Sequence, residues 1–316
     1  MNNLKKLGLT ALAGSLAVTG ANATEYAVTG DAVLKYASID YPAGAESTFG
    51  KGLGVDTDLY FNASGELDNG FTVAFFQAAD TNGAWTNSSS QVTIGMGSLG
   101  TLKVNNIAGA AGNGIDDVMP AAYNETWDGL ALTSDNPSFF GSSTASGSVT
   151  YSIPSQEMMG LTINASVDYD PASDVGATSA GGVNATNRSG TAFVLKLDHE
   201  SGLSLGAGTE EIDNGGTKTA TSTGSDEKNV TAYAKFAAGP VSVGYQEAYN
   251  NNANGAADNE ADFWAIAYSA GDFSVSYGES TLTNHKLGNS TVVERKNESI
   301  QATYTMGAMT LGAALS

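Results

Sequence analysis

The sequence predicts an all-β protein, a transmembrane antiparallel up-and-down β-barrel of about 16 strands. Polar and apolar side chains alternate with a period of two along most of the chain after residue 24. Short and long connections between these segments alternate strictly. We count about 15 strands, too many for a barrel whose interior is filled by side chains, so the polar faces line water and the apolar faces meet lipid.

The first 23 residues predict a secretory signal peptide. Lys5 and Lys6 form a charged start, residues 7–19 form an apolar run, and Ala21-Asn22-Ala23 is an A-x-A cleavage site. An N-terminal membrane helix is the alternative, but the apolar run is too short to span a bilayer. Residues 24–316 then form the barrel.

The strands show one apolar face each. The alternation is clear over residues 26–36, 55–67, 161–169 and 300–315. Aromatic residues lie near the strand ends on the apolar side, as in the aromatic girdles of outer-membrane barrels: Tyr26, Tyr36, Phe71, Tyr169, Phe236, Tyr245, Phe273, Tyr277 and Tyr304.

The connections fall into two classes. The short class is tight and contains glycine, as in Asp68-Asn69-Gly70 and Ala270-Gly271-Asp272. The long class is polar and covers about residues 40–50, 80–90, 106–146, 170–189, 211–227, 250–260 and 280–297. This pattern predicts an up-and-down meander with short turns at one rim and long loops at the other.

Composition excludes several classes of function. The chain has no cysteine, two histidines and a formal net charge of −20. A Cys-ligated metal site, a cysteine nucleophile and binding to nucleic acid are therefore excluded. His199 and His285 lack the spacing of a catalytic triad, so we expect no enzyme activity and no cofactor.

The chain resembles the Gram-negative general porins, specifically those of alphaproteobacteria, in its A-x-A signal end, opening strand 26–32, glycine-rich short turns and long acidic third loop. The resemblance implies a trimeric channel in the outer membrane, in contact with lipid and lipopolysaccharide. It also implies that the loop at about 106–146 folds into the lumen as a constriction. Such porins end in an aromatic residue, whereas this chain ends in Leu315-Ser316. We therefore expect that the last strand is missing from this chain; the alternative is a strand count that is off by one.

The third long loop is the candidate constriction. No Lys or Arg occurs between Lys103 and Arg188. Carboxylates in a narrow pore attract cations, because low-dielectric walls focus the field; the alternative is a solvated outer loop. Asp116 and Asp117 could also hold a calcium ion, although no calcium-binding repeat is present. The candidate acidic residues are Asp116, Asp117, Glu125, Asp128 and Asp135.

Charged residues on the polar faces of the strands are candidates for the pore wall. We expect the loop acids to lie across the lumen from Lys35 and Lys196, with a transverse field between them. Each wall charge could instead only pair with a neighbour on the next strand. The candidate wall residues are Lys35, Lys103, Lys196, Lys235, Asp31, Asp56 and Asp58, with Asp168 and Glu210 on the same side.

These features predict a water-filled channel for passive diffusion of small hydrophilic solutes and ions, with a preference for cations. A secreted or surface-attached β-rich adhesion or structural protein is the alternative, with the polar loops as its working surface. An outer-membrane enzyme would need a nucleophile and a base on the strands, which the sequence does not offer.

Overall fold

The computed structural model describes residues 25–39, 50–80, 86–106, 109–126, 140, 147–171, 189–213, 226–251, 258–285 and 292–316. The predicted signal peptide lies outside these residues. No helix in the described ranges is long and apolar enough to cross a membrane.

The described chain is built from strands with two short 3-10 turns, at Gly97–Leu99 and Gly112–Ile115. The strands are β1 (Glu25–Ile39), β2 (Gly50–Glu66), β3 (Thr72–Asp80), β4 (Thr86–Gly95), β5 (Thr101–Asn106), β6 (Val149–Ser152), β7 (Gln156–Met158), β8 (Leu161–Asp170), β9 (Ser189–His199), β10 (Leu203–Asp213), β11 (Glu227–Ala238), β12 (Val241–Asn251), β13 (Asp258–Ala270), β14 (Phe273–His285), β15 (Val293–Met306) and β16 (Met309–Leu315).

All the strands belong to one antiparallel sheet, in which each strand pairs with its neighbours in the sequence, except that β6 and β7 do not pair with each other. β6 and β7 both pair with β8, so they are two halves of one strand, interrupted at Pro154, which has no N–H to donate to the ladder. The predicted all-β, up-and-down class is confirmed. β1 and β16 are the end strands of the order and are not paired with each other in the described residues. A further strand beyond Ser316 stays a prediction.

The short connections are tight turns, as predicted. Gly70, Gly160, Gly239 and Gly271 have positive φ values between 57° and 79°, a conformation that glycine adopts without steric cost. These turns join the strands along one rim of the sheet, and the long connections join them along the other.

The sheet has two different faces. Along β10 the burial alternates residue by residue, with Gly208 and Glu210 buried and Leu205 and Thr209 exposed. We call the face that carries the buried positions the loop face, because residues 109–126 lie against it. The opposite face, the apolar face, exposes large hydrophobic side chains such as Ile266 on β13. This alternation is the one that the sequence predicts.

Several predicted long connections are shorter than expected, because the strands continue into them. β4 begins at Thr86, inside the connection predicted at 80–90, and β14 runs to His285 inside 280–297. β13 likewise begins at Asp258, inside 250–260. Backbone pairing does not require an apolar face, so strands extend past the point where the alternation of side chains ends.

The apolar face becomes charged toward the rim with the long connections. The Tyr245 hydroxyl donates hydrogen bonds to Glu247 (2.7 Å) and Asp262 (3.0 Å). On the neighbouring strands, Lys296 forms ion pairs with Glu279 (2.9 Å) and Glu298 (2.8 Å). The apolar band of the sheet therefore ends at these residues.

Candidate functional site

The segment 109–126 follows β5 and lies along the loop face from β8 to β16. We call the strands that carry the loop face the wall. Side chains of the wall hold the segment in place by hydrogen bonds to its backbone. The 3-10 turn Gly112–Ile115 is its one helical part. An irregular segment leaves many of its backbone N–H and C=O groups without hydrogen-bond partners within the segment. Side chains of the wall supply these partners.

Asp168 on β8 holds the start of the segment. Its carboxylate accepts hydrogen bonds from the backbone N–H of Ala111 (3.1 Å) and of Gly112 (2.8 Å). The Thr150 hydroxyl donates to the same carboxylate, and Asn105 donates to the Thr150 hydroxyl at 2.8 Å. Asp168 is fully buried, so these hydrogen bonds replace the water that its charge would otherwise require.

Gln246 on β12 holds the middle of the segment. Its side-chain oxygen accepts from the Val118 N–H at 3.1 Å. Its side-chain nitrogen donates to the carbonyl oxygens of Ile115 (2.9 Å) and Asp116 (3.1 Å). The same nitrogen lies 2.8 Å from the Thr231 hydroxyl on β11, so its two hydrogens are shared among three acceptors. One fully buried amide therefore satisfies three backbone groups of the loop.

Gln301 on β15 and Ser276 on β14 hold the end of the segment. The Gln301 side-chain oxygen accepts from the N–H groups of Tyr123 and Asn124, both at 2.9 Å, and its nitrogen donates to the Asn124 carbonyl at 2.7 Å. The Ser276 hydroxyl accepts from the Ala122 N–H at 2.8 Å. The segment is thus fixed at three places along its length.

Glycines of the loop face make room for the segment. A β-carbon on Gly244 would lie 2.9 Å from Pro120, and one on Gly312 would lie 2.8 Å from the Tyr123 ring. Real β-carbons keep a larger distance, so each of these positions accepts only glycine unless the loop moves. The four glycines of this row occur on alternate strands, one per hairpin: Gly208, Gly244, Gly278 and Gly312.

The base of the segment packs in a small apolar cluster. Ile115 and Phe140 are buried against Val194 and Tyr233 of the wall. Both apolar side chains occupy the space that a β-carbon on Gly208 would need. Apolar packing and backbone hydrogen bonds therefore act together at this end of the loop.

The predicted loop acids occupy different positions. Asp116 and Asp117 are half-buried, and each accepts a hydrogen bond from a backbone N–H within the segment, which orders the local turn. They lie within electrostatic range of Lys196 and Lys235, respectively. Glu125 is half-buried near the end of the segment. Asp128 and Asp135 lie outside the described residues.

The wall lysines lie beside the segment. Lys196 donates a hydrogen bond to the Gly114 carbonyl at 2.9 Å. It therefore lies next to this part of the loop, and the transverse field between it and the loop acids stays a prediction. β9 contacts the 3-10 turn, so the short distance between Lys196 and Gly114 depends on the path of the loop over the wall. The register places Lys103 and Lys235 on the same face.

Charged residues of β1 and β2 share the loop face through the strand register. The Tyr60 hydroxyl donates to Asp31 at 2.9 Å, and Asp31 is opposite Asp58 in the pairing of the two strands. Asp56 has the same parity, and Lys35 is opposite Gly54, although its side chain lies outside the described part of the chain. The roles of these residues and of the loop acids in a pore stay predictions.

Sequence reasoning missed the residues that hold the loop. Gln246, Gln301 and Ser276 look like ordinary polar residues on the water-facing side of a strand. The row of glycines leaves a weak signal, because one glycine recurs in each of the last hairpins. Glu210, predicted on the same face, is fully buried and accepts a hydrogen bond from Asn229 at 2.7 Å.

The described residues contain no group of three or more His, Asp or Glu side chains that could hold a metal ion. The calcium site considered at Asp116 and Asp117 stays a prediction.

A family model described as Gram-negative porin matches residues 8–316 of the chain. No curated protein sequence matches it significantly.

Solved structures with a similar fold include a porin refined at 1.8 Å, with 16% identity and a TM-score of 0.58 over 92% of this chain and 93% of that one. The trimer form of OmpT, an outer membrane protein of Vibrio cholerae, has 10% identity and a TM-score of 0.59 over 92% and 87%. An anion-selective porin from Comamonas acidovorans has 14% identity and a TM-score of 0.59 over 90% and 86%. At these identities the similarity shows the fold, which is that of the porin barrels.

Proposed function

This chain belongs to the Gram-negative porin family, and from that premise we propose that it forms a water-filled channel for passive diffusion of small hydrophilic solutes and ions. The family identifies the protein as a channel of the outer membrane. The preference for cations and the constriction described below are our proposals.

The observation that carries the proposal is the segment 109–126 on the loop face. In a barrel of porin type this face lines the lumen, and a segment fixed against the wall there narrows the passage. The three groups of hydrogen bonds, from Asp168, Gln246 and Gln301, support a constriction of fixed width.

Charge supports the preference for cations. The chain carries 33 acidic and 13 basic residues. Asp116 and Asp117 lie on the loop, which carries no Lys or Arg of its own, and the wall lysines Lys196 and Lys235 within electrostatic range offset part of this negative charge. Fixed carboxylates at a narrow point raise the local concentration of cations and lower that of anions.

The trimer form of the Vibrio cholerae protein supports a homotrimer for this chain as well. The exposed side chains of the apolar face, such as Ile266 and Trp264, suit contact with lipid. The charged residues nearer the rim with the long connections, such as Glu279 and Lys296, support contact with the head groups of lipopolysaccharide.

The test is the reversal potential of the purified protein in a planar bilayer under a salt gradient. We expect discrete conductance steps and a cation preference that weakens at high salt, because screening shortens the reach of the charges to about 8 Å at physiological ionic strength. The double substitution Asp116→Asn with Asp117→Asn should lower this preference. The matched control, Glu211→Gln with Glu247→Gln, removes two charges from the apolar face and should leave it unchanged.

Two results would contradict the proposal. An anion preference would overturn the assigned selectivity while the channel remained. A protein that is soluble as a monomer without detergent and gives no conductance steps would instead favour a secreted adhesion or structural protein.

A further inference from the structure

A cavity of about 730 Å³ lies on the loop face, between the start of the loop segment and the wall. Strands β5, β6, β8 and β9 form its wall side, and residues 109–114 form its loop side. Its volume is within the range of pockets that bind small molecules.

The charge of this cavity is opposite to that of the chain. Lys103 and Lys196 line it, and no Asp or Glu of the described residues does so. Among the described residues, neither lysine forms an ion pair, and Lys196 makes one hydrogen bond, to the Gly114 carbonyl. Asp116 and Asp198 are within electrostatic range of Lys196 but do not line the cavity. The cavity is thus a local positive region in a strongly acidic protein.

The remaining lining is rich in groups that bond to hydroxyls. Ser152, Ser155, Ser166 and Asn164 offer donors and acceptors along the wall. The side-chain oxygen of Asn113, on the loop side, is buried and has no hydrogen-bond partner in the described structure. A buried acceptor without a donor is unfavourable, and rotation of this amide toward the cavity would let a ligand hydroxyl satisfy it.

From these observations we infer that the cavity is a binding subsite for hydroxylated organic anions, of the class of sugar phosphates and sugar acids. The lysines hold the anionic group, and Asn113 with the wall hydroxyls bonds to the hydroxyl groups. Such a subsite retains a solute briefly during passage, since a channel requires binding weak enough for release. The inference rests on the proposed channel function.

The experiment records single-channel currents in potassium chloride while glucose 6-phosphate, glucuronate, glucose or inorganic phosphate is added to one side. Glucose 6-phosphate and glucuronate should interrupt the current in a concentration-dependent way, and glucose at the same concentrations should not. Comparison of the two anions distinguishes a phosphate from a carboxylate as the preferred group. Inorganic phosphate should act more weakly than the sugar phosphate, because it lacks the sugar hydroxyls.

Variants test each part of the cavity. Lys103→Met should raise the half-blocking concentration of glucose 6-phosphate about tenfold, the loss expected for one charge-assisted hydrogen bond. Lys103 has no bond to the described part of the loop, so this variant separates ligand binding from the position of that part, whereas Lys196→Met affects both. Asn113→Ala should weaken block by glucose 6-phosphate and leave block by inorganic phosphate unchanged. Lys228→Met removes the same charge from the apolar face as a control.

The outcomes distinguish a failure of the binding subsite from a failure of the proposed channel function. Normal conductance steps with equal block by glucose and glucose 6-phosphate, or with block that is insensitive to Lys103→Met, would overturn the subsite and leave the channel intact. Equal block by inorganic phosphate and the sugar phosphate would reduce the cavity to a simple anion site and overturn the role of Asn113. The absence of conductance steps would overturn the proposed function itself.

Discussion

The substitution Gln246→Leu should release the middle of the loop from the wall. It removes the three hydrogen bonds to the backbone of Ile115, Asp116 and Val118 while keeping a side chain of similar size. At about 1 kcal/mol for each bond, the docked state loses about 3 kcal/mol relative to the released state. This corresponds to an increase of about 150-fold in the released population.

A thiol reporter measures this population, since the chain has no cysteine of its own. Ile115 is fully buried under the loop, so the thiol introduced by Ile115→Cys reacts with a water-soluble reagent only when the loop is released. The labelling rate should rise by up to about 150-fold in the Gln246→Leu background. Thr231→Val is the matched control, because it removes the bond from Gln246 to the wall and leaves the bonds to the loop. Equal labelling rates in all backgrounds would refute the role of Gln246 in holding the loop.

Two further substitutions and one deletion test which face of the sheet meets lipid and how the loop packs against the wall. Leu195→Arg, on the apolar face, should cost about 2–4 kcal/mol of stability in lipid if the residue lies near the midplane of the bilayer. Lys196→Arg, at the next residue on the opposite face, should cost much less. Equal losses of stability in urea unfolding would argue against the assignment of faces. Gly244→Ala should lower stability by about 1–3 kcal/mol and reduce conductance by shifting the loop, whereas Gly54→Ala, which has no neighbour within 4 Å of the new atom, should do neither. Deletion of the loop at 106–146 should raise single-channel conductance, and an unchanged value would place the loop outside the pore.

The strands and turns could be predicted because their signals are local. Alternation places successive side chains on opposite faces of a strand, and a glycine such as Gly271 marks a tight turn within a few residues. The ends of the strands could not be predicted in the same way. Toward the rim of the long connections β13 and β14 carry polar residues on both faces, as at Asn259 and Glu260 on β13 and at Thr283 and Asn284 on β14, so no pattern separates strand from loop there.

The arrangement around the loop depends on contacts between residues far apart in the sequence. The loop acids were recognised from composition, but the position of Lys196 beside Gly114 follows from the path of the loop over the wall. Gln246 and Gln301 have no local feature that distinguishes them from other polar residues of the same face. Their role follows only from the backbone groups that they meet.

The loop segment precedes in the sequence the strands that hold its middle and its end, β12, β14 and β15. Its bonds to Gln301 join residues that are 177 and 178 positions apart, and those to Gln246 span 128 to 131 positions. The loop therefore cannot dock until strands β12 to β15 are in place, and such non-local contacts form slowly because the chain between them must be ordered first. Docking of the loop is consequently expected late in folding, once the strands whose side chains hold it have paired.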